Sequence, residues 1–161
     1  MNEKAKAIYF DMDGTIANLY AVNNWLEDLR ASNPKPYEQA KCMVNMTTLA
    51  KLLKKLKNQG WYIGIVSWLS KGATYEYGMQ VQKAKYTWLY KHLPSIEFDE
   101  IKIVKYGTPK SEVVSIANGI LFDDEEQNRK EWKGQAYNEK EIIKILKNLY
   151  ENAWQIIESM L

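Results

Sequence analysis

Asp11-Met12-Asp13-Gly14-Thr15 sets two carboxylates two residues apart, directly after the apolar run Ala7–Phe10. Three more polar signals fall at comparable places: Ser67 after the apolar stretch 61–66, Lys110, and Asp123-Asp124 after the apolar stretch 119–122. Such groups together suit a phosphate monoester. Its dense negative charge repels an attacking carboxylate. Mg²⁺ removes that repulsion, since it takes oxygen ligands from one or two carboxylates and from phosphate. The Lys110 ammonium and the Ser67 hydroxyl would hold the remaining phosphoryl oxygens, because positioning and charge stabilisation supply most of the catalysis in phosphoryl transfer. Asp11 is the expected nucleophile, forming an aspartyl phosphate. Asp13 is expected to protonate the leaving oxygen and then activate water, help typically worth about 10²–10⁴ in rate. Gly14 permits a tight turn after the acids. Thr15 is counted with Ser67 and Lys110 around the phosphate, its hydroxyl also tying down the loop that holds Asp13. Each fragment alone has an ordinary explanation: a turn, a strand-end serine, a solvated lysine, an acidic helix start. Their joint placement at one edge of a sheet favours the chemistry.

The elements that would bring them there are short. Ala7–Phe10 and the stretches 61–66, 101–104 and 119–122 are apolar and β-prone, and 135–137 is a candidate fifth strand. Leu49, Leu52, Leu53 and Leu56 recur at helical spacing, with lysines on the other face and Gly60 as the stop. Val81, Ala84 and Trp88 give a weaker stripe ended by Pro94. A short helix is expected over 110–118, with Val113, Val114 and Ala117 as its apolar residues. Asn138 with Glu141 forms a capping-box pattern ahead of Ile142, Ile145, Leu146 and Leu149. Alternating strands and helices, with strands apolar on both faces, predict an α/β fold spanning 1–161: a parallel sheet of about five strands covered by helices on each side. Open sheets of that kind bind ligands at the carboxyl ends of their strands, where the four polar signals fall. Residues 18–45 interrupt the alternation. Val22, Trp25, Leu26 and Leu29 mark one amphipathic helix, Asn33-Pro34-Lys35-Pro36 breaks it, and a second short helix is expected around 37–43. We read this segment as a small helical cap over the strand ends; the alternative is a helical connection with no role in binding.

Composition narrows the field. A chain of 161 residues fits one core with a modest insertion, and its six Trp, eleven Tyr and three Phe argue against disorder. The net charge of +2 gives no global field for nucleic acid or membrane. The single cysteine, Cys42, excludes an internal disulfide and a multi-cysteine zinc site, and the single histidine, His92, excludes a two-histidine metal site. Cys42 is expected to be a passive thiol and His92 a structural or solvated residue. No apolar stretch reaches the roughly 7–15 residues of a secretory signal or the roughly 20 of a membrane helix, so a cytoplasmic location is expected. Trp61 and Trp88 are expected in the core, whereas Trp68, next to Ser67, and Trp25, in the insertion, are candidates for the site.

Phe10-Asp11-Met12-Asp13-Gly14-Thr15 resembles the first motif of the haloacid dehalogenase (HAD) superfamily in its phosphatase form, and Ser67, Lys110 and Asp123-Asp124 follow in that family's order. The resemblance implies a three-layer Rossmann-like HAD fold and a Mg²⁺ cofactor held by Asp11, by the backbone carbonyl of Asp13 and by Asp124, with Asp123 in support. It also implies phosphate binding by Ser67 and by the third-motif lysine, Lys110, for which Lys102 and Lys105 are rivals. Asn128 stands where some relatives carry a further acid. The chain is partly similar to the 5′(3′)-deoxyribonucleotidase branch, which has an apolar residue where Thr15 stands. That branch implies a small phosphorylated substrate such as a nucleoside monophosphate, with Tyr20, Trp25 and Trp68 available to stack a base. A polynucleotide 3′ end, a phosphoprotein, and a non-catalytic phosphate-binding role are the alternatives. Oligomeric state is left open.

Overall fold

The computed structural model describes residues 5–161; of the polar N-terminal stretch 1–6, the first four residues lie outside the described residues. In chain order the regular elements begin with β1 (Ala7–Phe10) and β2 (Ala17–Asn18), followed by a 3₁₀ turn (Leu19–Ala21), α1 (Trp25–Arg30), α2 (Lys35–Gln39) and β3 (Lys41–Cys42). Then come α3 (Met46–Asn58), β4 (Tyr62–Trp68), α4 (Tyr75–His92), β5 (Glu100–Val104), α5 (Lys110–Val113) and β6 (Ile120–Phe122). The chain closes with α6 (Glu126–Glu131), β7 (Ala136–Tyr137), a 3₁₀ turn (Glu139–Glu141) and α7 (Ile142–Met160).

Five strands form one parallel sheet in the order β5-β4-β1-β6-β7. Because side chains alternate along a strand, Ile8 and Phe10 of β1 face one side with Ile63 and Ile65 of β4 and with Ile120 and Phe122 of β6, and there meet Leu49, Leu53 and Leu56 of α3, Trp88 of α4 and Leu146 of α7. Ala7 and Tyr9 face the other side with Val66, Leu121 and Trp132. Helices therefore cover both faces, giving the expected three-layer, Rossmann-like α/β arrangement. Central β1 is buried along its whole length, which explains its unbroken apolar sequence.

Local chemistry sets the boundaries. The Asn45 side chain accepts the Thr48 amide and starts α3, and Gly60, at φ +91°, follows its end. Thr74 caps α4 by accepting the Tyr77 amide. Several expectations need correction. The helix over 110–118 stops at Val113, because Ser115 turns away to donate both its amide and its hydroxyl to Glu100. Asn138 caps through the Lys140 amide and opens a 3₁₀ turn rather than a reciprocal box with Glu141. β4 runs on through Ser67 to Trp68, and Trp61 lies outside it, half-buried against the core. The second insertion helix begins at Lys35, since Pro36 is tolerated in a first turn, and it ends before Lys41-Cys42, which pairs antiparallel with Ala17-Asn18. That two-stranded ribbon ties the start of the insertion to its end.

Candidate active site

Asp11 and Asp123 extend the sheet one residue past β1 and β6: the Asp11 amide donates to the Phe122 carbonyl (2.9 Å) and the Asp123 amide to the Tyr137 carbonyl (3.0 Å). Their backbones are thus fixed at adjacent strand tips, beside the Ser67 end of β4. After Asp11 the chain winds around one carbonyl, that of Met12, which accepts the amides of Thr15, Ile16 and Ala17. The Met12 side chain itself is buried in the core. Gly14, at φ +79°, closes this loop; a Cβ there would overlap the Asp124 carboxylate and the Tyr20 ring.

Ligand oxygens of Asp11, Asp123 and Asp124 lie within 4.8 Å of one another. Lys110, 5% exposed, bridges two of these acids, with its Nζ 2.9 Å from Asp11 Oδ1 and 2.6 Å from Asp123 Oδ2. Burial pulls its pKa down, but the two carboxylates outweigh burial and hold the ammonium above its usual range. Lys102 and Lys105 are exposed and, among the described residues, make no ion pair with these acids. Asp123 is saturated: besides Lys110 it accepts Asn128 Nδ2 (3.2 Å) and the Glu125 amide (2.9 Å). Asp124 is freer, with Thr15 Oγ1 at 3.2 Å from its Oδ1. Burial first, and then the Asp11 charge, push the carboxyls of Asp123 and Asp124 above the ordinary range. Three crowded, desolvated carboxylates with one shared ammonium are a donor set that suits a hard divalent cation. Among the described residues no N–H or hydroxyl donor reaches Asp124 Oδ2, and Asp123, steadied by Asn128, stands behind it.

Thr15 departs from expectation. It is fully enclosed; its Oγ1 sits 3.1 Å from Asp11 Oδ2 and accepts the Asp124 amide (3.1 Å). It staples the β1 tip to the β6 tip, and its hydroxyl bonds Asp11 and Asp124 rather than Asp13; it is not among the residues that line the cavity over these groups. Asp13 is instead held by Lys85, whose Nζ lies 2.8 Å from Asp13 Oδ2. Burial raises the Asp13 carboxyl, Lys85 opposes that shift, and Asp11 adds to it. Ser67 is also enclosed, and its Oγ accepts Lys85 Nζ at 2.7 Å. Lys85 was not legible among the motifs, although a signal exists: it occupies the i+4 place in the stripe Val81, Ala84, Trp88, a lysine on an apolar face.

A cavity of about 430 Å³ opens over these groups, with Asp11, Asp13 and Lys110 among its lining. The insertion contributes Tyr20, Trp25 and Leu29. Trp68 and Tyr106, at the ends of β4 and β5, contribute a second aromatic pair, their centroids 4.9 Å apart. The Trp68 indole is fixed by its hydrogen bond to the Thr108 carbonyl (2.8 Å), and the Lys110 ammonium lies 5.4 Å from its ring. Tyr20 packs edge-on to Trp25 at 5.0 Å. Elsewhere, Trp88 is a core residue as expected, and Cys42 Sγ lies 3.2 Å from His92 Nδ1, away from the cavity. No helix among the described residues is long and apolar enough to cross a membrane.

No protein-family model matches the chain, and no curated protein matches it. Among solved structures, D,D-heptose 1,7-bisphosphate phosphatase from Burkholderia thailandensis aligns with a TM-score of 0.46 and 12% identity, over 78% of this chain and 70% of that one.

Proposed function

We propose that this protein is a Mg²⁺-dependent phosphohydrolase that cleaves phosphate monoesters through a phosphorylated Asp11, with nucleoside monophosphates as substrates. One observation carries the reading: a buried strand-tip carboxylate, Asp11, shares one ammonium with Asp123 and one hydroxyl with Asp124, at the floor of a cavity. The order of the motif residues, which resembles that of the HAD superfamily, supports it. Asp11 and Asp124 would hold the cation, together with the Asp13 carbonyl. Bound Mg²⁺ would offset the charge of the phosphoryl group and ease the approach of a carboxylate. Lys110 contributes a fixed positive charge on the same side.

In the first step an Asp11 oxygen bonds to phosphorus, the ester P–O bond breaks, and the leaving oxygen takes a proton from Asp13. In the second, water adds to phosphorus and gives its proton to Asp13; the Asp11–phosphorus bond breaks, releasing inorganic phosphate. A carboxyl raised by burial is suited to holding the proton it must deliver. Ser67 is enclosed and is not among the residues that line the cavity; its Oγ accepts from Lys85 and helps hold that ammonium beside Asp13.

The aromatic lining favours a ring-bearing substrate. A cavity of about 430 Å³ is of small-molecule size, and the two aromatic pairs offer faces on which a base can stack. Hydrolysis of p-nitrophenyl phosphate with Mg²⁺, abolished by EDTA and by Asp11→Asn in a folded protein, is the expected result. Turnover retained by Asp11→Asn would overturn the nucleophile assignment. A panel of nucleoside monophosphates against a 3′-phosphorylated oligonucleotide and a phosphopeptide tests the substrate class; preference for either of the latter would overturn it.

A further inference from the structure

Lys85 is the residue of this site that no motif accounts for. It projects from the middle of α4 and is 1% exposed, so it is not in reach of a substrate. All three of its N–H groups are used: Asp13 Oδ2 at 2.8 Å, Ser67 Oγ at 2.7 Å and the Trp68 carbonyl at 2.7 Å. The Tyr37 ring, from the insertion, lies 5.1 Å from its Nζ. Tyr37 belongs to a small cluster with Val81 and Ala84 of α4, one turn and one residue before Lys85. A lysine so enclosed, with its donors fully engaged, has one geometry. Among the described residues no donor reaches the other Asp13 oxygen, Oδ1, and Asp13 lines the cavity.

We propose that Lys85 is a positioning residue for the acid step: by clamping Asp13 Oδ2, it turns Oδ1 toward the leaving oxygen. The inference rests on the phosphohydrolase reading and adds to it the group that orients the acid. A lysine that merely filled space would affect every substrate alike. One that aims a proton donor matters in proportion to how much the leaving group needs the proton.

Phenyl phosphate and p-nitrophenyl phosphate have similar shapes but differ in this need, because nitrophenolate departs readily unprotonated. The value of kcat/KM reports the steps up to formation of the phosphorylated Asp11. For Lys85→Met we expect kcat/KM to fall about 10²-fold on phenyl phosphate, the scale of acid–base help, and only a few-fold on p-nitrophenyl phosphate. Equal losses on both esters would overturn the proposal. Asp13→Asn should show the same steep dependence on the leaving group. Adding Lys85→Met to it should then change neither ester further, because the two residues act as a unit. This double variant removes both charges of the buried pair together, a change folded proteins often accept, and so it provides the test if the single variant does not fold. A further loss in the Asp13→Asn background would equally overturn the proposal. A wild-type protein that hydrolyses neither ester removes the phosphohydrolase reading itself, an outcome distinct from a wild type that is active and a Lys85 variant whose losses are uniform.

Discussion

Lys110 answers two buried carboxylates with a single charge. Removing one member of a buried ion pair costs about 3–5 kcal/mol, because its partner is left charged and desolvated. Lys110→Met leaves Asp11 and Asp123 both without it. It is expected to lose about that much stability toward urea in EDTA, to recover part of it with Mg²⁺, and to lose activity throughout. Lys105→Ala, at an exposed position, is expected to stay within about 0.5 kcal/mol of wild type. Equal effects of the two would refute the assignment of Lys110. The same residues define how far the sequence could be read. Asp11 and Asp123 were legible because an apolar strand ending in an acid has one place to put it. The contacts of Lys110 with Asp11 and Asp123, which exposed Lys102 and Lys105 do not make, are not given by spacing along the chain. The bonds of Thr15 to Asp11 and Asp124, and of Lys85 to Asp13 and Ser67, join elements distant in sequence; spacing along the chain puts Lys85 on an apolar face but does not name its partners.

At the scale of elements, the sheet was legible and the connections less so. Strands buried on both faces carry an unambiguous pattern, whereas a helix over 110–118 is contradicted only by the long-range pull of Glu100 on Ser115. The β2–β3 ribbon has two residues per strand, too few for any alternation to register. The insertion it closes is lightly built. Helix α1 has six residues, no fully buried side chain and no side-chain cap, and its N-cap, Asn24, sits at φ +61°. Helices this short are not stable by themselves, so α1 keeps its form through contacts over the cavity, Trp25 against Tyr20 among them. This separates binding from chemistry. Base–aromatic stacking is worth ~1–3 kcal/mol, so Trp25→Ala is expected to raise KM for a preferred nucleoside monophosphate about tenfold while kcat changes little. Steady-state kinetics on that substrate and on p-nitrophenyl phosphate check it. A fall in kcat with KM unchanged would remove the insertion from substrate binding.

For the whole molecule, the strand order places β1 between β4 and β6, so the topology itself gathers the acids at one point. Two like charges ~4 Å apart at an effective dielectric of ~20 repel by roughly 4 kcal/mol, and one ammonium offsets only part of this for three carboxylates. The fold is thus held in tension with its own site, a tension that a cation bound by these acids would relieve. The pH dependence follows from the raised carboxyls of Asp123 and Asp124. A group whose pKa is higher in the folded than in the unfolded chain contributes stability that is complete below the unfolded value, and that contribution is lost as pH rises through the folded one. For these two acids the loss begins at the ordinary carboxylate range and continues above it. Cation binding requires the ionised forms and favours the folded state by mass action, so it counters the loss where the loss is greatest. Saturating Mg²⁺ is therefore expected to raise the melting temperature more at about pH 8 than at about pH 5, relative to EDTA at matched ionic strength. Asp124→Asn, which removes one charge and one oxygen ligand, should stabilise the cation-free protein at the higher pH and abolish most of the Mg²⁺ gain there, whereas Asn128→Ala should leave most of that gain in place. A gain that is independent of pH, or that survives in Asp124→Asn, would mean that the ion binds elsewhere and that the three acids are not its site.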